Sequence, residues 1–113
     1  MNFEIGIDEH DGGLPVVSVR GEVDLHTAPK VEYAIEKAGG NGASAVVVDM
    51  SGIAFMDSTG LSTFMRAKDS LAKNETSLRL AALSQAVERI FSVTGFNEYF
   101  EVFETREEAI FAN

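Results

Sequence analysis

Apolar Phe3, Ile5 and Ile7 alternate with Asn2, Glu4 and Gly6 at the start of the chain, the period of two that buries one face of a strand. The pattern predicts an outer strand. Asp11-Gly12-Gly13 then supplies turn chemistry, and Val16, Val17, Val19 and Val23 form a β-branched run that stops near Asp24. Two strands joined this tightly pair antiparallel.

From Thr27 the period changes. Val31, Ala34, Ile35 and Ala38 recur at helical spacing, Pro29 is tolerated in the first turn, and Gly39-Gly40 ends the helix. Ala45 to Met50 is nearly all apolar, broken only by Asp49, as in a central parallel strand covered on both faces. Leu61, Phe64, Met65, Leu71 and Ala72 trace a second amphipathic helix, with the Lys68 stem able to lie along the stripe. Leu78 to Leu83 predicts another strand. Ser84 caps a third helix that turns Val87, Ile90 and Phe91 inward and ends at Gly95. A strand around Phe100, Val102 and Phe103 follows, and Thr105-Arg106-Glu107-Glu108 is a capping box opening a short last helix.

The order is therefore β-β-α-β-α-β-α-β-α. Short connections and right-handed crossovers predict one α/β domain over residues 1–113, a mixed, mostly parallel sheet with an N-terminal β-hairpin packed against helices. Gly39-Gly40-Asn41-Gly42 reads as a loop within it.

Charge and composition narrow the function classes. Nine Lys and Arg against eighteen Asp and Glu give a net charge of −9, which repels nucleic acid and anionic lipid. No cysteine is present, so thiolate nucleophiles and cysteine-based zinc sites are excluded. No apolar run is long enough to cross a bilayer and the first residues lack a leader pattern, so a cytoplasmic protein that does not insert into membranes is expected. His10 and His26 are the two histidines, and Asp8-Glu9-His10-Asp11 reads as a solvated acidic turn rather than a metal site. Glu104, Glu107 and Glu108 read as charge complementing a helix start.

Phe55-Met56-Asp57-Ser58-Thr59-Gly60 stands between the buried strand and the second helix, where α/β sheets present functional loops. Asp57, Ser58 and Thr59 are all good N-caps, and one would suffice. The alternative is a docking surface in which Phe55 and Met56 flank a hydroxyl that a phosphate could spoil. Gly60 either eases the turn or lets a partner approach the hydroxyl. Asp24 either caps the first helix or contacts a partner.

The string Val46-Val47-Val48-Asp49-Met50-Ser51-Gly52-Ile53-Ala54-Phe55-Met56-Asp57-Ser58-Thr59-Gly60-Leu61, with Gly21-Glu22-Val23-Asp24 upstream, resembles the signature of anti-sigma factor antagonists of the STAS domain family. The resemblance in element order covers essentially the whole chain and implies a STAS-type fold. It also implies that Ser58 is phosphorylated by an anti-sigma factor serine kinase, that Thr59 packs or caps, and that the Asp24 loop belongs to the kinase-facing surface. The chain departs from the family pattern at Ser62, where members often carry glycine.

The implied protein is a non-enzymatic regulator. Unphosphorylated, it binds the kinase and releases the sigma factor, and phosphate on Ser58 ends binding. Asp24, Phe55, Met56, Asp57, Ser58, Thr59 and Gly60 form the expected contact set. The chain itself needs no cofactor, since ATP and magnesium belong to the kinase, and a protein serine phosphatase resets the switch. A monomer is expected. The alternative keeps the fold as a stand-alone docking subunit of a transport or other signalling complex. A serine hydrolase built on Ser58 lacks a histidine and base arrangement.

Overall fold

A computed structural model describes residues 3–9 and 13–112. Five strands form one sheet, β1 (Phe3–Glu9), β2 (Pro15–Val23), β3 (Ala45–Met56), β4 (Ser77–Ala81) and β5 (Glu101–Phe103), ordered as numbered. β1 runs antiparallel to β2, and the remaining pairs are parallel. The helices are α1 (Ala28–Gly39), α2 (Ser58–Ala72), α3 (Gln85–Thr94) and α4 (Arg106–Phe111), with a single 3-10 turn over Phe96–Glu98 that the sequence pattern does not announce.

The strand alternation sorts the core onto two faces. Val46, Val48 and Met50 of β3 join Val17 and Val19 of β2 and Leu78 and Leu80 of β4 against α1, α2 and α3, where Val31, Ile35, Phe64, Val87 and Phe91 fill the larger core. Ala45 and Val47 face the other way, onto Ala109 and Ile110 of α4. The central strand is thus covered on both faces, as its nearly unbroken apolar run predicts. α4 is tied down by Arg106, whose guanidinium donates to Asp49 Oδ2 at 2.8 Å and to Ser18 Oγ at 2.9 Å, and by buried Arg79, which donates to the Ala109 carbonyl at 2.8 Å.

Several boundaries differ from the pattern. β3 does not stop at Met50 but continues through Phe55 and Met56, because two register shifts against β2 each insert a residue into β3. Bulges of this kind break the period of two, so Met50, Ile53 and Met56 all point into the core at intervals of three. β4 ends at Ala81 rather than Leu83. On α2 the buried stripe runs through Leu61, Phe64, Ala67 and Leu71, with Met65 partly covered and Ala72 exposed. Ile7 is 43% exposed, so β1 buries only part of its apolar face.

The helix ends follow their capping residues. Ser84 Oγ accepts from Val87 N–H, and Gly95 closes α3 in the left-handed region at φ 78°. Thr105 accepts from Glu108 N–H, while the Glu108 carboxylate reaches back to Glu104 N–H, one residue beyond the amide a standard box serves. His10, Asp11 and Gly12, and with them most of the expected turn, lie outside the described residues.

Candidate functional site

The carboxyl ends of β2 and β3 stop side by side. Glu22 pairs with Phe55 and Val23 with Met56, and Asp57 N–H donates to the Val23 carbonyl at 3.3 Å. The chain therefore enters α2 directly off a central strand, next to the loop joining β2 to α1. A site placed here inherits the rigidity of the sheet.

Of the three capping candidates, Asp57 does the capping. Its backbone is extended, and Oδ1 accepts from Gly60 N–H at 2.9 Å. Ser58 becomes the first residue of α2. Its side chain is exposed, and among the described residues none holds its hydroxyl in a hydrogen bond. Thr59 is half-buried, and its carbonyl accepts from the Thr63 hydroxyl at 3.1 Å. Ser62, the departure from the family pattern, is exposed and donates its hydroxyl to the Ser58 carbonyl at 3.0 Å.

Phe55 and Met56 separate sharply. Phe55 is 50% exposed, whereas Met56 is a core residue, which removes it from the expected contact set. The alternation of β3 at its last two residues makes this division. Gly60 is buried as well. A Cβ there would lie 2.7 Å from the Val23 carbonyl oxygen, 2.9 Å from Val23 Cγ1 and 3.0 Å from Met56 Cγ. Its lack of a side chain serves the seating of α2 on the sheet, not the approach of a partner.

Asp24 works inside the molecule. Its Oδ1 accepts from the N–H of His26 at 2.9 Å and of Thr27 at 3.2 Å, while Thr27 Oγ1 accepts from Asp24 N–H and donates to the Glu22 carbonyl. Partial burial pushes the Asp24 carboxyl up, but these amide donors and nearby His26 outweigh it and hold it below its ordinary value. The knot shapes the loop and leaves Leu25, at its tip, 67% exposed. The sequence pattern does not single out Leu25, because one leucine between Asp24 and His26 carries no period.

The end of the sheet thus presents two exposed apolar side chains, Leu25 and Phe55, together with an unengaged primary hydroxyl. Asp57, the neighbouring carboxylate, is committed to the helix cap, and among the described residues no group of His, Asp or Glu side chains could hold a metal ion. None of the described helices is long and apolar enough to cross a membrane.

The central strand of this α/β sheet thus delivers an exposed serine to a helix start, beside two exposed apolar side chains. A model of the STAS domain matches residues 7–109, and the chain belongs to that family. It is 36% identical over 102 residues to a protein of Listeria monocytogenes named anti-sigma-B factor antagonist, covering 90% of each chain. A protein of the same name from Staphylococcus epidermidis is 32% identical over 107 residues, with 95% of this chain and 98% of that one covered. Among solved structures, an anti-sigma factor antagonist from Mycobacterium paratuberculosis superposes with a TM-score of 0.86 at 33% identity, covering 98% of this chain and 93% of the other.

Proposed function

We propose that this protein is a cytoplasmic anti-sigma factor antagonist that acts as a phosphorylation-controlled docking module. Unphosphorylated, the end of the sheet formed by Leu25, Phe55 and the start of α2 captures an anti-sigma factor that is itself a serine kinase, and the sigma factor is released. The kinase transfers the γ-phosphoryl group of magnesium-bound ATP to Ser58 Oγ, the hydroxyl proton passes to a base on the kinase, and ADP departs. A protein serine phosphatase returns the hydroxyl by hydrolysis. This chain contributes the acceptor and the surface, and no catalytic group.

The observation that supports the reading most is the exposed, unengaged Ser58 hydroxyl at the same sheet end as two exposed apolar residues. Phosphorylation adds about −1.5 to −2 charges at neutral pH. Burying such a group in an interface without a counter-charge costs more than the apolar contacts return, and each increment of about 1.4 kcal/mol weakens binding tenfold. The names of the relatives above support the antagonist part of this reading.

Intact-mass measurement after incubation with ATP and the kinase captured by a Ser58→Ala bait tests the acceptor. Wild type and Thr59→Ala gain one phosphoryl group, and Ser58→Ala gains none while still binding. Modification that persists in Ser58→Ala and vanishes in Thr59→Ala would move the acceptor to Thr59, and indifference to both substitutions would end the switch reading.

A further inference from the structure

β1 is the end strand of the sheet, so among the described residues one side of its main chain faces no neighbouring strand, which makes it a template for another chain. Its side chains divide by face. Phe3 and Ile5 pack partly against the larger core and Ile7 continues their row, while Glu4, Gly6 and Asp8 alternate to the opposite, exposed face.

α1 leaves the inner face of this strand partly uncovered. Between them lies an open groove of about 590 Å³ walled by Ile5, Ile7, Pro29, Tyr33 and Ala34. Tyr33 is 66% exposed. Lys30 and Lys37 border the groove, and the Lys37 ammonium lies 5.9 Å from the centre of the Tyr33 ring. Lysine stems placed this way extend an apolar wall while their heads stay in water.

We propose that the β1 edge and this groove receive an extended segment of a partner protein, which adds as a sixth strand with apolar side chains alternating into the groove and basic side chains over Glu4 and Asp8. Main-chain hydrogen bonds supply the affinity of such strand addition, and alternate side chains supply its specificity. Glu4 lies 3.8 Å from the Arg20 guanidinium of β2 in a largely exposed pair, whereas Asp8 has no ion-pair partner among the described residues. Between them, nothing lies within 4 Å of a Cβ position at Gly6, so a long basic side chain has room to lie across the strand toward Asp8.

Charge rejects a second copy as the occupant. Antiparallel pairing of two β1 strands about Gly6 would set Glu4 against Asp8, two acids served by only the one exposed, long Arg20 pair at 3.8 Å, between molecules that each carry −9. The groove contains none of the residues around Ser58, so this proposal stands or falls separately from the phosphorylation switch.

The test is an amide-shift titration of the isotope-labelled whole protein with three capped peptides: alternating Lys and Val, a block isomer of that composition, and alternating Glu and Val. The first shifts the amides of Phe3–Glu9 and of α1 around Tyr33, binds about tenfold or more tighter than the other two, and loses about tenfold on Ile7→Asp. Ile7→Asp leaves the spectrum outside the groove unchanged, since Ile7 is already part-exposed. Equal binding of the block isomer, shifts confined to residues outside the groove, or no binding at all would overturn the proposal. So would dodecanoate filling the groove while the alternating peptide does not, or a dimer in sedimentation that Ile7→Asp abolishes.

Discussion

Gly60 shows how much a single residue can decide. Alanine there gains helix propensity of about 1 kcal/mol, but its Cβ would press on the Val23 carbonyl, a backbone atom that cannot step aside. Overpacking of this kind costs about 1–3 kcal/mol. Gly60→Ala should therefore lower the urea midpoint, whereas an unchanged or raised midpoint would show that α2 shifts freely on the sheet. Asp57→Ala removes the cap from Gly60 N–H and should cost about 1 kcal/mol by the same measurement. In sequence, Asp57, Ser58 and Thr59 are interchangeable caps, and only the extended backbone at Asp57 assigns the work. The family string singles out Ser58, which lies exposed at the first position of α2. Leu25 is not legible in the sequence, since a side chain exposed by a hydrogen-bonded loop leaves no periodic trace.

At the scale of elements, most of the fold was legible because apolar periods and caps agree. β3 is the exception. Its two inserted residues carry an inward row at positions 50, 53 and 56, which reads as neither strand nor helix over so short a span. The sequence pattern therefore cannot show which of Phe55 and Met56 is exposed, and Met56, in the expected contact set, belongs to the core. α4 is also an element-scale feature, since its attachment depends on the pairing of Arg106 with Asp49. Partial burial pushes the Asp49 carboxyl up, but donors from Ser51 and the Arg106 guanidinium outweigh it and hold it below its ordinary value. A group with a depressed folded pKa contributes stability that is fully present above its unfolded pKa, about 3.9, and is lost as pH falls through the folded value. Wild type should thus lose stability on acidification through that window, and Asp49→Asn, less stable by about 1–2 kcal/mol near neutrality, should show a flatter acid limb. Parallel acid limbs in urea titrations across pH would contradict this.

The whole molecule separates a rigid frame from a chemically simple surface. The sheet is held from both faces by two apolar clusters, and Ser58 is outside both. Under the proposed switch, a phosphate on Ser58 would meet the positive end of α2, so the modification is expected to leave the frame intact. Hydrogen exchange of the free protein should change mainly around Asp57–Leu61 and the Asp24–Thr27 loop on phosphorylation, and widespread loss of protection would point to unfolding instead. In the proposed switch, phosphate acts at the surface, by affinity, and one titration tests this most directly. The dissociation constant of the captured kinase should be similar for wild type and Ser58→Ala, and about a hundredfold or more weaker for protein phosphorylated on Ser58. Equal affinity of the phosphorylated and unphosphorylated forms would contradict the account.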